Sequence, residues 1–158
     1  MNPELLEARW RLGAITAVDL HDVASAALDA GHDFPSVIEL FAMTRDELRW
    51  EGPELFERVL RDLGVGDLTA AQAAARIARD TAPRLLEDTL EVDEALLHLA
   101  DLHIRTAYQY DALTWAYLLK DELDSIDSYG RSYLGRSAEE IDADVRQEAA
   151  QIVARPAE

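Results

Sequence analysis

Two acidic pairs, Glu91-x-x-Glu94 and Asp121-x-x-Asp124, are the residues of this chain whose spacing most resembles working chemistry. Side chains three apart share a helix face. Two such pairs on facing helices could hold magnesium, and magnesium would bridge the phosphates of a bound substrate. One expectation is therefore a magnesium-dependent all-α nucleotide phosphohydrolase whose metal ligands are Glu91, Glu94, Asp121 and Asp124. Two features weigh against it. Acids are so frequent here that such spacings arise by chance, and few basic residues nearby could receive a triphosphate.

The same region supports a different reading. Glu87, Asp88, Glu91, Asp93, Glu94 and Asp101 form the densest acidic segment, and no base lies between Arg84 and Arg105. Glu94, His98 and Asp101 stand three and four apart, hence on one helix face. The segment could dock a basic protein, hold a metal, or simply be a solvated helix start, where acids favour the positive end of the dipole.

A second candidate surface is Ser128-Tyr129-Gly130-Arg131-Ser132-Tyr133-Leu134-Gly135-Arg136. Tyrosine, serine, glycine and arginine together give an adaptable contact surface with rigid aromatic anchors. Tyr129 and Tyr133 are its candidate partner-binding residues. The plainer alternative is an interhelical loop whose tyrosines fold back onto the protein. Tyr108 and Tyr110 are expected to cover a helix junction.

Other patterns fail on their residues. The acidic pairs resemble those of all-α nucleoside triphosphate pyrophosphatases, but the fuller Glu-Glu-x-x-Glu form of that family is absent. His21-Asp22 and His32-Asp33 resemble the His-Asp metal phosphohydrolases, which need an earlier histidine, and His21 is the first. His98 and His103 are five apart, roughly 140° around a helix, so they cannot share a metal; one of them is expected to be a hydrogen-bonded histidine at the core boundary. Asp124-Ser125-Ile126-Asp127 puts isoleucine where a calcium loop needs an oxygen. Gly64-Val65-Gly66 is a helix stop without the strand and third glycine of a phosphate-binding turn. No serine sits in a nucleophile elbow. No catalytic residue and no cofactor are expected.

Composition bounds the partner. Thirty-two acids stand against fifteen bases in 158 residues, a formal charge of −17 at pH 7. The excess is spread along the chain, with no acidic tail and no basic arm. Such a field repels nucleic acid and anionic membrane and attracts cationic protein surfaces. The absence of cysteine removes disulfides, thiolate metal sites and cysteine nucleophiles together. Met1-Asn2-Pro3-Glu4 has an acid where a signal peptide needs positive charge, and apolar stretches such as Ala112 to Leu119 are too short to span a bilayer. A cytoplasmic location is expected.

The elements that must position these residues read as helices throughout. Asn2-Pro3 opens one that Gly13 ends, and the Thr16/Asp19 pair opens a second that runs to Gly31. Asp33 is expected to cap a third with Val37, Ile38 and Phe41, and Thr44 to cap a single turn. Pro53 starts a helix with the stripe Phe56, Val59, Leu60 and Leu63. The Thr69/Gln72 box opens an alanine-rich helix that Pro83 should kink or break. Asp93 is expected to cap a helix with almost no polar face, the most buried of all. Ala112 to Ile126 and Ile141 to Ile152, the latter capped by the Ser137/Glu140 box, complete the set. Nothing alternates with period two. The fold expected is all-α, one domain over 1–158, about seven helices with short connections.

The run Ala27-Leu28-Asp29-Ala30-Gly31-His32-Asp33-Phe34-Pro35-Ser36, with Glu54-Leu55-Phe56-Glu57 and Asp62-Leu63-Gly64, resembles a class of small acidic all-helical proteins of high-GC bacteria, mostly uncharacterised. The matching residues are caps and core positions, so the resemblance implies an architecture and no chemistry. The leading expectation is a non-enzymatic domain that binds a basic protein, one form being an immunity or inhibitor protein against a cationic toxin. The phosphohydrolase and a structural homo-oligomer are the alternatives, with oligomeric state left open.

Overall fold

The computed structural model describes residues 1–155. Among them are nine α-helices, one 3-10 turn and no strand, so the all-α expectation holds. The chain divides into two compact units, Met1–Ala73 and Ala74 onward.

The first unit comprises α1 (Pro3–Arg11), α2 (Leu20–Asp29), α3 (Pro35–Ala42), α4 (Arg45–Trp50) and α5 (Gly52–Asp62). Its core is Leu20, Ala24 and Ala27 of α2, Val37 and Leu40 of α3, Leu48 of α4 and Leu55, Phe56, Val59 and Leu60 of α5, with Leu6 of α1. Trp10 meets Phe56 edge-on at 4.9 Å. Charged groups fasten the segment that follows α5. Glu57 accepts from Trp10 and from both terminal nitrogens of Arg11, whose Nη2 also donates to the Gly66 carbonyl at 2.7 Å. Buried Glu7 takes the Leu68 amide at 2.8 Å.

The capping signals mostly act as read. Asn2 accepts from the Glu4 and Leu5 amides, and full capping boxes form at Thr44/Glu47 and Ser137/Glu140. The turn opened by Thr44 thus grows into a six-residue helix, α4. Three caps differ. Thr16 and Asp19 bond each other one turn early, and α2 begins only at Leu20. α3 is preceded by Phe34 rather than capped by Asp33.

The second unit holds most of α6 (Ala70–Leu86), with α7 (Val92–Arg105), the 3-10 turn Asp111–Leu113, α8 (Thr114–Tyr129) and α9 (Ala138–Ala154). Glu91, not Asp93, precedes α7, and its side chain makes no cap. α6 continues through Pro83 to Leu86 instead of breaking there. Proline removes one intrahelical bond, but the Pro83 carbonyl still receives the Glu87 amide, and Arg146 of α9 donates to the carbonyl of Leu85. α7 packs chiefly on α8 and buries Ala95, Leu96, Leu99, Ala100, Leu102 and His103. It is not buried all round: Leu97 and Ile104, seven apart, are exposed. His103 is the buried histidine, its Nδ1 3.2 Å from the Tyr110 carbonyl, and Tyr108 packs edge-on against its ring.

Candidate functional site

The second unit carries an open groove of about 1240 Å³ at the end of α8. Asp121, Asp124, Ser125 and Ser128 of α8 form one side; Tyr129, Arg131, Tyr133 and Leu134 come from the helix end and the loop beyond it. Tyr129 is 80% exposed and Tyr133 55% exposed, so neither folds back into the core. Gly130 at φ 71 ends α8 in the left-handed conformation that reverses the chain toward the groove wall.

That wall is fastened from below. Glu122 is 1% exposed on the inner side of α8 and accepts hydrogen bonds from Ser132 Oγ and from Nε and Nη2 of Arg136. Arg136 also reaches Asp144 of α9 at 2.5 Å. Ser132 Oγ in turn accepts the Leu134 amide, and Ser125 donates to the Arg131 carbonyl. Tyr133 and Leu134 therefore project between two anchored points, Ser132 and Arg136. The Arg136 hydrogen bond, aided by Ser132 and outweighing burial, holds the Glu122 carboxyl below its usual range. Desolvation of its hydroxyl, then the charge and hydrogen bond of Asp121, raise Tyr133 above the usual phenol.

Lys120, the chain's only lysine, links this groove to the acidic segment. Its ammonium pairs with Asp124 on its own helix and lies 3.6 Å from Asp93 at the start of α7. Burial works against the charge, but Asp124 and Asp93 together hold the ammonium above its usual value. Asp93 of the acidic segment and Asp124 of the groove lining, separate in sequence, thus share one ammonium in the second unit.

The remaining acids divide by partner. Asp88 pairs with Arg146 at 2.8 Å, and Asp101 pairs with Arg105 one turn on. Glu87, Glu91 and Glu94 are exposed and take no ion pair among the described residues. Among the described residues no three His, Cys, Asp or Glu side chains are grouped so as to hold a metal ion, Glu91, Glu94, Asp121 and Asp124 included. Asp124 is taken by Lys120 instead. His98 is exposed on α7 and joins no such cluster.

Glu122 and Asp144 were not singled out from the sequence, and Ser132 and Arg136 entered only as members of the Ser128–Arg136 surface. One signal was there to read: Glu122 lies in register with Ala116, Leu119, Leu123 and Ile126, an acid inside an apolar stripe. No helix is long and apolar enough to cross a membrane among the described residues. No protein-family model matches the chain, and neither a curated protein nor a solved structure is similar to it.

Proposed function

We propose that this chain is a non-enzymatic domain that binds a basic protein, and that the groove at the end of α8 is where the partner sits. The observation that carries the reading is the Asp93–Lys120–Asp124 bridge, which ties the acidic start of α7 to a carboxylate that lines the groove of the exposed tyrosines. Carboxylates of α7 and α8 steer a cationic surface in. Tyr129 and Tyr133 then supply rigid contact area of the kind that dominates binding energy. Because Glu122 and Arg136 hold the wall in place, little ordering entropy remains to be lost on association. One concrete form is an inhibitor or immunity protein that covers a cationic toxin by presenting carboxylates where a substrate presents phosphates.

The test uses the full chain as bait in the native host's lysate, beside a Tyr129→Ala/Tyr133→Ala variant. A strongly basic protein should be captured by the first and lost from the second. The purified pair should weaken steeply as salt rises. Capture of a neutral or acidic partner, or affinity indifferent to salt, overturns the reading. So does sedimentation as a stable oligomer whose interface covers Tyr129 and Tyr133, which would favour the structural homo-oligomer.

A further inference from the structure

The α2–α3 hairpin of the first unit carries an apolar ladder open to solvent. Phe34, Ile38 and Phe41 recur at i, i+4 and i+7 and are 37%, 51% and 40% exposed, while Val37 and Leu40 on the other side are fully buried. Imidazoles frame both ends of the ladder. His21 of α2 stacks on Phe41 at 4.9 Å, and His32, after α2, stacks on Phe34 at 6.2 Å. Acids stand near its two ends in the sequence: Asp22 lies 3.8 Å from the His21 ring, and Asp29 and Asp33 flank His32, all three exposed.

We infer that this face docks a basic amphipathic helix of a protein partner. The ladder is about 10 Å long, the reach of two helical turns. Its occupant therefore offers apolar anchors at i, i+3 or i+4, and i+7. The lysines or arginines flanking those anchors meet Asp22, Asp29 and Asp33. A second copy of this chain fits poorly, because apposed ladders would bring the same carboxylates together between two molecules of charge −17. The surface belongs to the first unit, so it stands or falls independently of the α8 groove.

The probe is a leucine–lysine peptide of about five helical turns with leucines on one face, compared with the same composition scrambled. Backbone amide shifts of the full chain should move at Phe34, Ile38 and Phe41, and the scrambled peptide should bind at least tenfold more weakly. Ile38→Asp decides between contact and field. The extra negative charge strengthens attraction for a cationic peptide, so a tenfold loss can come only from the missing apolar anchor. Circular dichroism checks that the variant folds, and Phe41→Ala repeats the measurement without changing charge. Equal binding of both peptides, unchanged or tighter binding to Ile38→Asp, or shifts centred on Tyr129 and Tyr133 would each overturn the inference. A dimer of the free protein that Ile38→Asp splits would overturn it as well, by making the occupant a second copy.

Discussion

Arg136 grips Glu122 through Nε and Nη2, and the carboxylate it holds is buried while the guanidinium stays partly exposed. Removing one member of such a pair leaves an uncompensated buried charge, which costs more than the pair itself contributes. Glu122→Ala removes the buried charge and empties its site; Arg136→Ala leaves the carboxylate to Ser132 alone. Both should lower stability, Arg136→Ala by about 3 kcal/mol, the low end for a buried pair because Arg136 keeps contact with water. Arg136→Lys should recover only part of this, since a point charge cannot reproduce the two-nitrogen contact. Urea denaturation followed by circular dichroism measures the order.

The same pair sets an acid limit. Glu122 is held below its usual range when folded, by Arg136 first. A depressed carboxyl stabilises fully above its unfolded value, about 4.3, and that stabilisation drains away as pH falls through the folded value. Asp19, bonded by Thr16, and Glu47, bonded by Thr44, shift in the same direction. Stability should therefore fall on acidification below about pH 4.3. Glu122→Gln should flatten that fall, and a thermal-melt series across pH reads it. An unchanged acid slope in Glu122→Gln would mean that the pair contributes nothing to folding.

Helix ends show what the sequence makes visible. α1, α2 and α5 end with Gly13, Gly31 and Gly64 in the left-handed conformation, each with the amide bonds of a Schellman turn. Glycine marks such ends, so these boundaries were legible. α6 and α7 end in the same hydrogen-bonded turn with Asp88 at φ 55 and Ala107 at φ 51. No glycine announces them. Capping boxes were legible for a related reason, since their reciprocal bonds span three residues. Glu122 and Arg136 were harder to pair because they meet across the turn after α8, at a contact of tertiary origin. The apolar run of α7 misled for the opposite reason: composition suggested burial on all sides, but helix geometry offers the core one face, and Leu97 and Ile104 lie off it.

Charge density predicts a salt response opposite to that of the ion pairs. Screening weakens exposed pairs such as Arg58–Glu39, each worth little at a half-exposed site. It also relieves repulsion among the −17 excess charges, which acts over the whole chain. The second effect is the larger, because the Debye length shrinks from about 30 Å at 0.01 M to about 10 Å at 0.1 M, the scale separating like charges on a protein this size. The melting temperature should rise between those salt concentrations in differential scanning fluorimetry. A fall would show that the pairs outweigh the repulsion.

The two left-handed helix ends without glycine give a matched experiment. Ala107 occupies the left-handed position after α7, its side chain is exposed, and its amide bonds the Ile104 carbonyl. A residue with a Cβ pays roughly 1–2 kcal/mol there, whereas glycine adopts the conformation freely and loses about 0.5–1 kcal/mol through its greater unfolded-state freedom. Ala107→Gly should therefore stabilise the protein by about 0.5–1 kcal/mol. Asp88→Gly relieves the same strain after α6 but also removes the 2.8 Å pair with Arg146, which is already shared with Asp142. Its net effect should be close to zero. Asp88→Ala keeps the strain and loses the pair, so it should be the least stable of the three. Urea midpoints in the order Ala107→Gly, Asp88→Gly, Asp88→Ala, with wild type beside the second, are the expected outcome. A stabilised Asp88→Ala would show that Arg146 draws nothing from Asp88, and an Ala107→Gly no more stable than wild type would show that the left-handed turn carries no strain.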